Sequence, residues 1–403
     1  MSTSLMYHAF GVRGYLYQRT EYVGSEIHFT VKQADGSLEC SECGSRRVIR
    51  RGGRERRFRG LPIGSRRVWI VLKVPRLECK ACGVVRQAEV SFAPGQHGYT
   101  KRFARYVVEL ARHMTMWDVA QHLGVSWNLV KELWKEELHR RFRRPSLKEL
   151  RLLAIDEISI GKGHRYLTVV LDLESGAVVF IGEGKGAEAL TPFWKRLRRS
   201  GARIEAVATD MAPAYIQAVR SHLPEATLVF DHFHVIKLMN DKLADLRRDL
   251  QREAEAADKE VLKGTRWLLV KNPENLRADK SEGEQLEAAL ALNARLAAGY
   301  YLKEDLRQLW RQPDKETARN YLDGWIERAR ATGIPQLRTM ANTLSLHREG
   351  LLAYYDVPIS TGPLEGTNNK VKTLQRQAYG YRDQEFFHLR IFALHETRYE
   401  LLG

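Results

Sequence analysis

Three things are scarce in this sequence, and each scarcity narrows what the chain can be. No run of roughly eighteen apolar residues occurs, so no segment reads as a membrane-spanning helix. Cysteine is nearly absent, with 4 in 403 residues, which excludes a secreted disulfide scaffold. Acids are outnumbered, 49 Asp and Glu against 65 Lys and Arg, and the net charge of +16 makes a polyanion the leading class of partner. Internal repeats and low-complexity tracts are missing too, and 44% hydrophobic residues suffice for several buried cores. No basic, apolar, small-residue leader opens the chain. The expectation is a soluble, intracellular protein whose polyanionic partner is nucleic acid rather than a membrane.

The few cysteines are informative by their spacing. They form two Cys-x-x-Cys pairs, Cys40/Cys43 and Cys79/Cys82, each followed by a glycine that lets the backbone wrap a tetrahedral ion. This predicts a structural Zn²⁺ ribbon over 40–95, with the strand-like Val68–Val74 returning the chain to close the site. Residues 1–39 read as a lead-in with weak alternation and a turn at Asp35-Gly36. Between Arg46 and Arg76 stand 12 Lys or Arg and a single acid, Glu55. Such a run is often a solvated face. On a metal-held module it reads as a phosphate-tracking surface, with Arg56, Arg57 and Arg59 as candidate contacts.

Residues 100–144 are predicted to be helical. Ala120-Gln-His-Leu-Gly124-Val-Ser126 has the pattern of a helix-turn-helix: a small residue for close approach, a glycine turn and a serine cap. The helix that begins at Trp127 would enter the major groove, bringing Trp127, Asn128 and Lys131 to the DNA.

From Leu150 the period changes to that of strands. Arg151–Ile158, Arg165–Leu173 and Ala177–Ile181 form a predicted meander, followed by a helix, a strand ending at Asp210, a helix and a strand ending at Asp231. This β-β-β-α-β-α-β order, over 150–234, is that of a ribonuclease H-like domain. Asp156 and Asp210 would lie at neighbouring strands, where two carboxylates call for a cation between them; a helix cap is the other use of an acid in Asp210's position. Glu157 points to the opposite face by the strand period. Asp231-His-Phe-His234 is a third polar cluster, read as supporting the acids or contacting DNA. Residues 235–345 read as a helical insertion, in which Trp267 sits in a loop-like stretch beside Arg266 and is a candidate to stack on an extruded base. The core then resumes over 346–403. Gly362-Pro363 marks a turn and helix start, which puts Glu365 near a helix N-terminus, with Asn369, Lys370 and Lys372 following and Arg376 and Arg382 beyond. The last helix is predicted over Gln384–Leu402.

Taken together these motifs resemble the DDE transposases of the ISL-three insertion-sequence group. The resemblance runs from the cysteine pairs through Ile155-Asp156-Glu157, Thr209-Asp210, Asp231-His-Phe-His234 and Arg266-Trp267-Leu-Leu to Gly362-Pro-Leu-Glu365-Gly-Thr-Asn-Asn369-Lys and Tyr379-Gly-Tyr-Arg382. It implies a multidomain α/β protein: a zinc ribbon, a helix-turn-helix and a ribonuclease H-like core with a helical insertion. It also implies an acidic triad of Asp156, Asp210 and Glu365 holding two Mg²⁺ or Mn²⁺ ions, cleavage and strand transfer of double-stranded DNA at the terminal inverted repeats of an element and at target DNA by a homodimer or larger assembly, and a cytoplasmic, nucleoid-associated place in a bacterial or archaeal cell. The alternatives are a catalytically idle DNA-binding descendant and a nuclease of the same fold.

Overall fold

The computed structural model describes residues 3–34, 36, 38–161 and 165–396. Asp35 of the expected turn, and the end of the expected last helix beyond 396, lie outside them. The described chain divides into two compact units, 3–140 and 141–396.

The first unit opens with α1 (Thr3–Phe10) and five strands, β1 (Tyr15–Val23), β2 (Glu26–Gln33), β3 (Val48–Arg59), β4 (Arg67–Cys79) and β5 (Val85–Gln87). They form one sheet in the order β1-β2-β4-β3, with β5 also on β4. The even positions Val68, Ile70, Leu72 and Val74 of β4 are fully buried, and Phe10, Phe29, Phe58 and Phe92 join them in one core. The lead-in read over 1–39 shares this sheet. Residues 15–33 are two strands of the same sheet, because Glu26–Val31 pairs in parallel with Arg67–Leu72 and the apolar residues of β2 complete the core. A register shift between Arg50 and Gly53 bends β3, with Gly52 at φ +83°.

Three helices follow: α2 (Lys101–Ala111), α3 (Met116–Leu123) and α4 (Trp127–Phe142). Thr100 caps α2 at Phe103 N, and Thr115 caps α3 at Asp118 N. Gly124 ends α3 at φ +62°, and Ser126 Oγ accepts the Leu129 N–H at 3.2 Å to start α4. The turn chemistry read from Gly124 and Ser126 is therefore what the backbone uses.

The second unit holds β6 (Leu152–Gly161), β7 (Arg165–Asp172), β8 (Val178–Glu183), α5 (Thr191–Ser200), β9 (Ala206–Thr209), α6 (Pro213–His222) and β10 (Thr227–Phe230). The sheet order is β10-β9-β6-β7-β8, with β9 parallel to β6 and β10, and β7 antiparallel to its neighbours. The period of β6 sorts its residues onto two faces. Leu153 and Ile155 pack with Phe193, Trp194 and Tyr215 of α5 and α6, while Ala154 and Ile158 pack with Leu364, Val371 and Phe387. The latter three belong to α15 (Gly362–Gln377) and α16 (Gln384–Phe392).

Between β10 and α15 lie α7 (His232–Glu253), α8 (Ala256–Gly264), α9 (Arg266–Val270), α10 (Glu282–Leu292), α11 (Ala294–Leu306), α12 (Lys315–Ala331), α13 (Pro335–Leu346) and α14 (Arg348–Leu352). Their shared core centres on Trp325, whose indole N–H donates to Leu302 O at 2.8 Å, and on Leu243, Leu246, Leu296 and Leu337. Asn293 separates α10 from α11: its carboxamide accepts the N–H groups of Arg295 and Leu296 and caps α11. One expectation is corrected. The stretch around Trp267 is the short helix α9, and its carbonyls at Leu269 and Lys271 receive the buried Lys303 ammonium.

Candidate active site

Asp156 lies mid-strand in β6 on the face covered by α15. Its Oδ1 accepts the Glu157 N–H at 2.7 Å, and its Oδ2 accepts from Asn368 Nδ2 at 2.9 Å. His234 Nε2, from the first turn of α7, stands 4.0 Å from Oδ1. Burial first, then the neighbouring charges of Asp210 and Glu157, hold this carboxyl above the usual range, while the Glu157 N–H and His234 act the other way. Asp210 follows the adjacent β9, and its Oδ1 accepts the Ala212 N–H at 3.0 Å in a local turn; the cap position of α6 is Ala212, so Asp210 is not the helix cap.

Glu365 is exposed in the first turn of α15. It sits one helical turn before Asn368, the residue that bonds Asp156, so about 5–6 Å separates their Cβ atoms. Among the described residues only the four cysteines gather three or more ligand atoms within 4.8 Å, so the three carboxylates stand further apart than that. Their donor set is all oxygen and includes one partly desolvated carboxylate beside a second acid, which fits a hard divalent cation.

Glu157 serves the other face. The Tyr215 hydroxyl donates to its Oε1 at 2.6 Å, and Gly186 N–H reaches the same oxygen at 3.1 Å. Asp231, expected as a cap or a site residue, makes no cap bond: its buried Oδ2 accepts from Thr361 Oγ1 at 2.7 Å, tying the end of β10 to the start of α15. Asn368 and Thr361 were not anticipated. The signal for Asn368 was its place in the stripe Leu364, Asn368, Val371, Leu374, all buried, whereas Asn369 is exposed beside it.

The cysteine site has two matching halves. Gly44 N–H donates to Cys40 O and Gly83 N–H to Cys79 O, both at 2.9 Å, and both glycines have positive φ. Glu42 N–H and Ala81 N–H point at the Sγ atoms of Cys40 and Cys79 at 3.4 and 3.3 Å. Backbone N–H groups from Cys82 and Ala81 pull the Cys79 thiol down to about 6, which favours the thiolate a metal needs. The Cys40–Cys82 and Cys43–Cys79 Sγ separations are 3.7 and 3.6 Å. A tetrahedral Zn²⁺ with bonds of about 2.3 Å requires sulfurs about 3.7 Å apart, so the four thiols fit zinc.

The expected DNA contacts divide. Arg57 is exposed, but Arg56 donates to the carbonyls of Gln96 and His97 and lies over the Phe58 ring. Arg59 is buried, which corrects its reading as a DNA contact. Its guanidinium donates to Leu123 O at 3.0 Å and sits over Trp69 and Phe103, closing α3 from the sheet side. Trp127 and Asn128 are exposed at the start of α4, with Lys131 over the indole. Trp267 is 67% exposed beneath Arg266, and Asn369, Lys370, Lys372, Arg376 and Arg382 are exposed on and after α15.

A strand-paired acid site behind a four-cysteine module and a helix-turn-helix defines a class, and the comparisons name it as transposase. Residues 153–391 match a family model described as transposase, 88–133 the helix-turn-helix domain of transposase family ISL3, and 38–82 the zinc-finger of transposase IS204/IS1001/IS1096/IS1165. The transposase for insertion sequence element IS1001 of Bordetella parapertussis is 35% identical over 392 residues, covering 95% of this chain and 96% of that one. The transposase for insertion sequence element IS1557 of Mycobacterium tuberculosis is 30% identical over 375 residues, 86% of this chain and 83% of that one. The chain belongs to the ISL3 family of insertion-sequence transposases. A looser likeness, at 13% identity and a TM-score of 0.41 over 75% of this chain and 93% of the other, is to the Drosophila P element transposase strand transfer complex.

Proposed function

We propose that this transposase cuts and rejoins DNA through Asp156, Asp210 and Glu365. The observation that carries this reading is the Asn368–Asp156 hydrogen bond, which ties α15, the helix that bears Glu365, to the strand that bears Asp156. The three carboxylates would hold Mg²⁺ or Mn²⁺, which when bound polarises an attacking oxygen and neutralises charge at the leaving one. Asn368 keeps the Asp156 carboxylate in one orientation, and Thr361 with Asp231 fixes the helix start that presents Glu365. Lys370, Lys372, Arg376 and Arg382 bind backbone phosphates, and Trp267 stacks on an extruded base. Water attacks a phosphodiester at the element end, freeing a 3′-hydroxyl, and that hydroxyl then attacks target DNA. The zinc ribbon and helix-turn-helix, with Arg57, Trp127, Asn128 and Lys131 outermost, bind the terminal repeats, and two copies of the chain pair the two ends.

The test places the gene with its native flanking DNA in a reporter host beside Glu365→Gln. Excised junctions and new insertions are expected from the parent alone. Equal products from both would remove Glu365 from the chemistry, and nicks without insertions would reduce the protein to a nuclease.

A further inference from the structure

We propose that Tyr379 is a stacking platform for a DNA base held out of the duplex, at the far end of a strand track that begins at Glu365. The inference rests on the reading of Glu365 as an active-site acid.

The fold does not ask for a large side chain at this position. The Tyr379 side chain is 101% exposed, so it packs on nothing in its own chain. Its backbone is left-handed at φ +50°, a conformation that an aromatic residue enters at a cost and that only one other non-glycine among the described residues, Ser281, shares. Tyr379 N–H donates to Arg376 O and Gly380 N–H to Gln375 O, which together close α15; a glycine at 379 could make the same closure without strain. An exposed ring kept on an unfavourable backbone points to something outside the chain.

Its place just beyond α15 says what that is. Glu365, Asn369, Lys372 and Arg376 are all exposed and follow one another at helical spacing, so they form a single stripe, and exposed Tyr379 comes three residues after Arg376, where the helix has closed. At 1.5 Å per residue the stripe from Glu365 to Arg376 is about 16 Å long, which puts the ring beyond it roughly 20 Å from Glu365. A B-form strand advances 3.4 Å per nucleotide, so the ring lies about six steps from the phosphate at the acids. The flank of the helix next to this stripe is pinned to β6 at two points, by Asn368 to Asp156 and by Gln375 Nε2 to Ile160 O, so the helix that carries the stripe is held in place. Lys372 and Arg376 lie between acid and ring, and exposed Arg382 follows. Cations that follow a backbone, ending in a bare aromatic face, are the parts of a site for an unstacked base.

The experiment uses the full-length protein on duplexes of its native flanking DNA in which 5-iodouracil, which photocrosslinks to a stacked aromatic ring, replaces one thymine at a time on each side of the mapped cleavage point. The crosslinked peptide should contain Tyr379, with a maximum about four to eight nucleotides from the cut. Tyr379→Phe should keep both the crosslink and excision. Tyr379→Ala and Tyr379→Gly should lose the crosslink and reduce excision by about five- to a hundredfold, the range of one base-stacking contact, while Tyr379→Gly melts at a higher temperature than the parent. No crosslink at any position, a crosslink to another residue, unchanged excision in Tyr379→Ala, or a lower melting temperature for Tyr379→Gly would each overturn the proposal. Glu365→Gln separates the two readings: it should crosslink like the parent without cutting. If it cuts as well as the parent, the acid assignment fails while the crosslink map still reports on Tyr379.

Discussion

Asp156 concentrates the conflict between stability and use. Burial and the nearby acid raise its pKa, so the folded state favours the neutral carboxyl; its contribution to stability is full below the ordinary carboxylate value of 3.8 and is lost as pH rises through the raised one. Asp156→Asn supplies a permanently neutral isostere. Asn368 can accommodate it by turning its amide, because its Oδ1 has no partner and would accept from the new carboxamide. The variant should therefore melt above the parent at neutral pH, with the difference vanishing as pH falls into the ordinary carboxylate range, and it should not cleave DNA. A lower melting temperature at neutral pH would show that the ionised carboxylate supports the fold. The facing of Asp156 and Glu157 was legible from the strand period alone. The fate of Arg59 was not, since in sequence it is one more arginine of a basic run and only the docking of α3 buries it. Arg59→Ala should cost about 2–3 kcal/mol in chemical denaturation through the lost charged hydrogen bond and ring contacts. Arg57→Ala should stay within about 0.5 kcal/mol and lower the salt slope of DNA binding by about one. The reverse pattern would return Arg59 to the DNA surface.

At the scale of elements, the capping and turn residues were the most legible features, because Gly124, Ser126 and Pro363 act on their own neighbours in sequence. Contacts between distant elements were hidden. Nothing in Thr361 announces that it will meet Asp231, since that requires β10 and α15 to be brought together across the whole helical segment. Thr361→Val keeps the shape and removes the hydroxyl, which leaves the buried Asp231 without its one side-chain donor. It should destabilise the second unit by about 1–3 kcal/mol and slow cleavage while sparing end binding, as read by denaturation, excision and gel shift of one preparation. Loss of end binding in step with cleavage would mean that the bond supports the whole chain rather than the start of α15. Gly124 offers the complementary case in the first unit. Its φ of +62° strains any L side chain, and the tip of the Arg67 guanidinium, 2.3 Å from where a Cβ would lie, would have to swing away from alanine. Gly124→Ala should lower the melting temperature of that unit and weaken DNA binding, and an unchanged melt would show that Arg67 can move aside freely.

Across the whole molecule, the division into 3–140 and 141–396 makes a claim about cooperativity. The first unit has its own apolar core, but β3, β4 and the start of β5 all converge on the cysteines, with Val48 paired to Cys79 and Val85 to Glu78. Metal binding free energy therefore becomes folding free energy for this sheet. The second unit draws its stability from the two faces of its own sheet and from the helical core around Trp325. A zinc chelator should accordingly lower or abolish one thermal transition, assigned by proteolysis to 3–140, and leave a second transition in place. End binding should be lost with the first transition and return on adding Zn²⁺. Cys79→Ser should reproduce the chelated state, because it removes the ligand whose thiolate the backbone most favours. If chelation shifts a single transition that spans the whole chain, the two units are coupled and zinc stabilises the second unit as well as the first.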